Sequence, residues 1–390
     1  GGMLDSSTDV IQPVDEDVEL DLTNTARLFV RRNPVVEGPL TVRWDAQASA
    51  ASNLTFANGD QEDERWVFDV DRLDLRLTAP NAIAANSVLR ASVGRFPFND
   101  STGLIFNDRI DGASLSLDFP SVTTAISGGY TGLLTKQNSD ISVSNDDTRD
   151  QENDDEDFAP RRVISNVSFL FPEFVGRQSG SVEALAQWDL REDIDLEKVN
   201  SQYVYVTGSG PLTESWYYNL GIAGSSLQRS ELKADGDLGD PEQELGFAGQ
   251  IQSELFLDAR DRNLLTTTVR YGSGTGDELE AFPSIAASNA MILGETRVAD
   301  TTLAVIDYSF NPYAGRRGAA SRQLELGGYA AAEYSARLTD DDTYRGFEAG
   351  SRVKARPYSE FGAQIQGALR YDNNTDQIRP LGRIDLSARF

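Results

Sequence analysis

Leu40-Thr41-Val42-Arg43-Trp44-Asp45-Ala46-Gln47-Ala48 alternates apolar and polar residues without a slip. Successive side chains of a β-strand point to opposite faces, so this stretch carries one apolar and one charged face. The pattern recurs along the chain. Leu73, Leu75 and Leu77 interleave with Arg72, Asp74 and Arg76, and Val182, Ala184, Ala186 and Trp188 with Glu183, Gln187 and Asp189. Near the end, Ile365, Leu369 and Tyr371 interleave with Gln364, Gln366 and Arg370, and Ile384, Leu386, Ala388 and Phe390 with Arg383, Asp385, Ser387 and Arg389. About seventeen such segments occur, centred near 24, 46, 72, 91, 116, 128, 167, 185, 205, 221, 250, 267, 305, 330, 350, 365 and 385. None sustains a 3.6-residue period over three turns, so helix content is expected to be small.

Composition removes most chemistry. The 390 residues carry no histidine and no cysteine. Ser-His-Asp and Cys-His catalysis, thiolate or imidazole metal sites and disulfides are therefore excluded. A net charge of −27 is the wrong sign for a nucleic-acid partner. No apolar run approaches the roughly 18–20 residues of a membrane-spanning helix. The opening Gly1-Gly2-Met3-Leu4-Asp5 has neither a basic nor an apolar leader segment, so no signal peptide is read there: the chain is cytoplasmic or already mature. Residues 1–16 read as a flexible lead, and 17–390 as one all-β unit.

Connection lengths carry direction. Turn-like links fall at 119–121, 208–211, 258–261 and 356–359, and long acidic ones at 53–64, 97–110, 137–160, 228–243 and 273–300. An up-and-down antiparallel meander with a short-turn end and a long-loop end produces this rhythm. A soluble sandwich, with one sheet face in a core, fits less well, because the polar face holds Arg43, Asp45, Arg72, Asp74, Arg76, Arg352, Lys354 and Arg356. The apolar face carries Trp44, Trp66, Phe68, Trp188, Tyr203, Tyr205, Trp216 and Tyr218 near strand ends, the placement of an interfacial aromatic girdle. No repeat of blade or coil length marks a propeller or solenoid.

Together these features resemble the Gram-negative outer-membrane β-barrels, over nearly the whole chain. The last strand, with Ile384, Leu386 and terminal Phe390 on one face, resembles the signal read by the barrel-assembly machinery. The resemblance implies a single antiparallel transmembrane β-barrel with short periplasmic turns and long acidic extracellular loops. Chain length at about 24 residues per strand and connection gives about 16 strands, within 14–18. Val93-Gly94-Arg95-Phe96-Pro97, Leu104-Ile105-Phe106-Asn107-Asp108 and Asp111-Gly112 resemble the alginate-export and carbohydrate-porin channels.

With the apolar face outward, Arg43, Arg72, Arg76 and Arg90 point into the lumen from early strands, and Arg352, Lys354, Arg356, Arg370, Arg383 and Arg389 from late ones. Closure of a barrel brings these groups together as a basic wall across the seam. Glu183, Asp189 and Glu254 are expected on the opposite wall, giving a transverse field across the pore. Pairwise neutralisation of these charges is the alternative. Segment 96–112, with Asp100, Asp108 and Asp111, is the candidate constriction loop. The acid run 137–160 reads as a solvated loop, or as a Ca²⁺ site in which Asp154, Asp155 and Asp157 are the candidate ligands. No other cofactor is implied, and no carboxylate pair stands out for catalysis.

The expected function is a passive outer-membrane porin for small hydrophilic solutes. The alternatives are a channel selective for acidic sugars or other anions, a structural or partner-binding barrel of the envelope, and a soluble all-β binding protein. The resemblance also implies outer-membrane lipid and lipopolysaccharide as surroundings, and a homotrimer as the common assembly.

Overall fold

The computed structural model describes residues 1–11, 19–32, 40–57, 60–153, 156–192, 195–233, 238–258, 263–274, 282–286, 298–313, 324–336, 344–358, 360–373 and 375–390. The first strands are β1 (Gly2–Ile11), β2 (Glu19–Arg32), β3 (Thr41–Ala57), β4 (Asp60–Pro80), β5 (Val88–Asn99) and β6 (Asn107–Asp118). There follow β7 (Thr123–Tyr130), the helix α1 (Asn145–Glu152), β8 (Arg162–Val175), β9 (Gln178–Asp189), β10 (Glu197–Pro211), β11 (Trp216–Glu231) and β12 (Glu242–Asp258). The last are β13 (Asn263–Gly272), β14 (Thr301–Phe310), β15 (Leu324–Ser335), β16 (Tyr344–Tyr358), β17 (Phe361–Asp372) and β18 (Gln377–Arg389). Each strand pairs antiparallel with its sequence neighbours in one 18-stranded sheet, and β1 also pairs with β18, so the sheet closes. Closure leaves no edge strand with unpaired backbone groups.

Each of the seventeen alternating segments is one strand, from β2 to β18. The length-based figure of 16 is corrected to 18. The missing strand is β1, which lies inside the stretch read as a flexible lead. Its outward positions include the polar Ser6 and Thr8, so no apolar period announces it. Backbone ladders to β2 and β18 hold it instead. The rest of that stretch, 12–16, lies outside the described residues.

All five long connections join an odd strand to the next even one, so they share one end of the barrel. The short links 119–121, 258–261 and 356–359 fall at the other end, where the turn after β10 occupies 212–215 and not 208–211. The 53–64 stretch is largely strand: β3 runs to Ala57 and β4 starts at Asp60.

Side-chain facing follows the alternation. Leu73, Leu75, Leu77, Val93, Leu115, Ile126, Val204, Val206, Ile251, Ile306 and Ile365 are all exposed, on the outside of the barrel. Asp45, Asp74, Glu183 and Gln187 are buried on the inside. An apolar belt around a whole molecule far exceeds the few hundred Å² that soluble monomers expose, and suits hydrocarbon. Among the described residues no helix is long and apolar enough to cross a membrane; the strands cross. Exposed aromatics ring both ends: Trp66, Phe68 and Trp188 at the loop end, Phe174, Trp216, Tyr358 and Phe390 at the turn end. Tyr203 and Tyr205 differ from expectation. They face inward and are buried, while Val204 and Val206 take the outer positions.

Phe390 lies outside at the seam, where its backbone exchanges hydrogen bonds of 2.9 and 3.0 Å with Gly2. Those bonds use no side chain. Phe390→Ala keeps them and is expected to cost the refolded barrel at most about 2–3 kcal/mol of burial. The heat-modifiable, assembled form in outer-membrane fractions should nevertheless fall well below wild type. Wild-type amounts of it would remove the Phe390 side chain from any assembly role.

Candidate functional site

The β4–β5 ladder ends at Leu73↔Arg95 and the β6–β7 ladder at Asp111↔Tyr130, but β5 and β6 stay paired up to Asn99↔Asn107. The hairpin tip therefore leaves the wall. It enters the lumen, since Phe96, Phe98, Leu104, Ile105, Phe106 and Ile110 form one buried cluster with Tyr203, Ala223 and Ala248, inward residues of β10 to β12. The turn 100–106 is held by Asp100, whose carboxylate accepts from the backbone N–H of Thr102, Gly103, Ile105 and Phe106 at 2.7, 2.9, 3.0 and 2.7 Å. Asp100 is thus spent on its own loop and does not face solutes. Replacing it with Ala would leave those buried donors unpaired, at about 1–3 kcal/mol each for any that find no water. The expected result is a noisier and larger single-channel conductance, and quiet wild-type currents would show that the turn holds without it.

Two further segments join the tip. Ile285 and Ala286 donate backbone N–H to Ile105 at 2.9 and 3.0 Å, Asn107 donates to Ala286 at 2.7 Å, and Ser142 donates to Ile285 at 3.0 Å. Phe282 packs edge-on against Tyr203 with centroids 5.9 Å apart, and the Tyr203 hydroxyl donates to the Pro283 carbonyl at 2.8 Å. Loops 100–106 and 131–161 and the segment 282–286 therefore meet as one shelf against the inner wall of β8 to β12.

Loop 131–161 is not merely solvated. Its helix α1 begins with a capping box between Ser144 and Asp147. Asp147, fully buried, receives both Nη2–H donations of Arg162 at 2.9 and 2.7 Å and stands 2.8 Å from Arg191. Arg162 also donates to Gln187 at 2.8 Å and to the Val199 carbonyl at 3.0 Å, with Asp189 3.3 Å away. Burial alone would favour deprotonating Arg191, but its hydrogen bond to Asp189 and the charge of Asp147 outweigh that and push its pKa above the ordinary value. Lower down, Thr135 and Asn138 donate to Asp69 at 3.1 and 3.0 Å, and Arg95 and Arg109 pair with Asp69 at 3.2 and 2.9 Å. This segment fills the gap that the departing hairpin leaves beside β4.

The expected opposing acidic wall is not present as such. Glu183 is buried, accepting from the Tyr205 hydroxyl at 2.7 Å, and Asp189 is buried between Arg162 and Arg191. Both are covered by the shelf, because inward positions of β9 are where the loops land. Glu254 is half-buried and accepts from Gln252 at 3.1 Å. Of the other loop acids, Asp108 accepts from Ser139 at 2.8 Å and Asp111 pairs with Arg95 at 2.8 Å. Asp154 and Asp155 lie outside the described residues, Asp157 is exposed, and among the described residues no acidic group of three or more is placed to hold a metal ion.

The remaining passage runs along the seam wall, β14 to β18 and β1 to β4. Here the structure departs from a bare arginine wall. Arg43 pairs with Asp45 at 3.0 Å, Arg72 and Arg76 both pair with Asp74, and Arg90 pairs with Asp118. Arg352 meets Asp307 at 2.5 Å, Arg370 meets Glu333 at 3.3 Å, and Arg383 meets Asp385 at 3.0 Å and Asp9 at 3.6 Å. Lys354, Arg356 and Arg389 make no ion pair among the described residues. Two grooves open on this wall. One is lined by Arg27, Lys354, Arg356 and Arg383 against Asp5 and Asp385, the other by Arg27, Arg31, Arg72 and Arg389 against Asp45. The partner acids are legible in the alternation, since Asp74 sits two residues from both Arg72 and Arg76. The Arg162 network leaves no such trace.

No family model matches the chain, and no curated protein matches it in sequence. Solved structures do. Pseudomonas aeruginosa OccK5 (OpdH) matches with a TM-score of 0.58 at 12% identity, covering 99% of this chain and 96% of its own. OccK7 (OpdD) of the same organism matches with 0.57 at 10%, covering 99% and 98%. P. aeruginosa OpdK, solved with vanillate, matches with 0.54 at 11%, covering 99% and 97%. At such identities the likeness is one of fold. The chain is a closed antiparallel β-barrel of 18 strands, the fold of these solved barrels.

Proposed function

We propose that the barrel is a diffusion channel for small hydrophilic solutes that favours small anions, carboxylates among them. The observation that carries this is the charge of the seam grooves. Seven cations line them, Arg27, Arg31, Arg72, Lys354, Arg356, Arg383 and Arg389, and of these Lys354, Arg356 and Arg389 make no ion pair among the described residues, inside a protein of net charge −27. The shelf occupies the opposite half of the lumen, so a solute passes close to these groups. Charges lining a narrow pore set its ion preference. A similar barrel was solved with vanillate, a small carboxylate, which supports the anionic reading.

The acidic loops oppose it only at a distance. At about 0.15 M salt the Debye length is roughly 8 Å, so charges beyond the mouth act weakly within. Reversal potentials across a planar bilayer in a salt gradient test the proposal. Anion preference is expected at 0.15 M, weakening at low salt, and small carboxylates should reduce the chloride current. Cation preference at all salts would overturn it, and absence of conductance would favour the structural-barrel reading. With the same porin resemblance go insertion by the barrel-assembly machinery, contact with outer-membrane lipid and lipopolysaccharide, and a homotrimer. Cross-linking in the native membrane tests the last of these, and a monomer-only pattern would reject it.

A further inference from the structure

From the geometry of β5 to β7 we infer that Gly112, with Gly94 beside it, is a positioning residue that sets the bore of the channel. The two glycines face each other across β5 and β6, in a row that continues to Asp74 on β4 and Gly129 on β7. The β4–β5 ladder continues only one pair beyond this row and the β6–β7 ladder only one, so the row is where the hairpin leaves the wall. Its members sit at inward positions, in register with the inward Asp74. When a hairpin tilts toward the lumen, its inner face becomes the concave side of the bend. Neighbouring backbones crowd there, and side chains lose their room.

That crowding is present at both glycines. A Cβ on Gly112 would overlap the carbonyl oxygen of Gly128 and lie 2.6 Å from the Gly129 Cα. A Cβ on Gly94 would overlap the Leu73 carbonyl oxygen, and Gly94 also has φ +121°, a region that L side chains rarely adopt. Both obstacles are backbone of the adjoining strands, so no side-chain rotation relieves them. A side chain at Gly112 pushes β6 away from β7 on the concave side. The relief available is to straighten the hairpin, which lifts 100–106 off the shelf and away from the passage. Gly112 therefore acts on solutes through loop 100–106 and touches none itself.

The inference rests on the channel reading, and two measurements keep the two apart. The first needs no conductance. The Ser101 and Ser181 hydroxyls are 3.2 Å apart and the chain holds no cysteine, so Ser101→Cys with Ser181→Cys reports whether the tip is docked. The pair should cross-link almost fully in the parent barrel, and at least about fivefold less in a Gly112→Val background of equal heat-modifiability. The second is single-channel conductance, expected to rise about twofold in Gly112→Val. Once 100–106 is replaced by a short turn, Gly112→Val should have no further effect, which a merely structural glycine would not show. A folded Gly112→Val barrel that cross-links and conducts like its parent overturns the inference. So does an equal conductance rise with 100–106 removed. If Gly112→Val does not assemble, Gly112→Ala and Gly94→Ala are read in the same way, and failure of all three assigns the glycines to assembly alone. A parent barrel that cross-links but never conducts defeats the channel reading and leaves the hinge standing.

Discussion

Replacing Arg162 with alanine is expected to free loop 131–161 from the wall and to destabilise the barrel by about 3–5 kcal/mol. Arg162 is completely buried, and its guanidinium reaches two buried carboxylates, Asp147 and Asp189, on two different parts of the chain. Removing it leaves both acids short of charge in a buried site, and takes one of two donors from the carbonyl of Val199. Arg191 can compensate only in part, as it already spans Asp147, Asp150 and Asp189. The measurement is a urea titration of the refolded protein in detergent, alongside limited proteolysis between α1 and β8. Arg149→Ala is the control: that side chain is 42% exposed, and surface pairs are worth at most about 1 kcal/mol. Equal losses in the two variants would mean that the loop is held by its apolar contacts and that the ion network is incidental.

Substituting Asp74 by asparagine is expected to shift the reversal potential strongly toward anions, more than any single loop acid does. Asp74 is the shared partner of Arg72 and Arg76, so one neutral change releases two cations to the lumen. The converse test uses cations that have no acid partner among the described residues. Lys354→Ala with Arg356→Ala should reduce anion preference at least as much as Arg72→Ala with Arg76→Ala: each removes two positive charges, but Arg72 and Arg76 are held on Asp74 while Lys354 and Arg356 make no ion pair among the described residues. Neutralising Asp146, Asp147 and Asp150 should alter stability but hardly the potential at 0.15 M or above. If Arg72 and Arg76 prove dominant, the ion pairs open during conduction and Lys354 and Arg356 lie off the path of the ions.

The sequence shows the sheet almost entirely, because alternation is a local property and each strand must present one face to lipid and one to water. It fails at β1, where polar Ser6 and Thr8 sit outside and the strand is held by its backbone ladders and by polar side-chain pairs such as Arg27 with Asp5. It also fails at Tyr203 and Tyr205, where a bulky apolar inner face receives the loop shelf and inverts the usual facing. Candidate lumen residues follow from parity, so the positions of Arg43, Arg72, Arg76 and Arg352 are readable from the chain. Their degree of neutralisation is only half readable: Asp74 lies within the same strand as its arginines, while Asp307 reaches Arg352 from two strands away. The Asp147–Arg162–Asp189–Arg191 cluster is invisible beforehand. It joins a loop helix to two strand ends, and nothing short of the folded register specifies it. The same holds for Gly94 and Gly112, which are ordinary loop-flanking glycines until pairing sets them opposite each other.

Strand β1 has a consequence for how the barrel comes to exist. It lies between β2, which follows it directly, and β18, which is made last. Met3 opposite Arg389 is a contact between near-opposite ends of the sequence. The entropy lost in bringing two points of a chain together grows with the length between them, and contacts of such long range form late and slowly. Until that moment, β1 and β18 each present a bare row of amides and carbonyls, which hydrocarbon penalises heavily. A half-made sheet of this chain therefore has no comfortable place in a bilayer by itself. The ring is finished by one step that carries nearly all the cooperativity, and whatever holds the two raw edges before then chaperones the whole molecule.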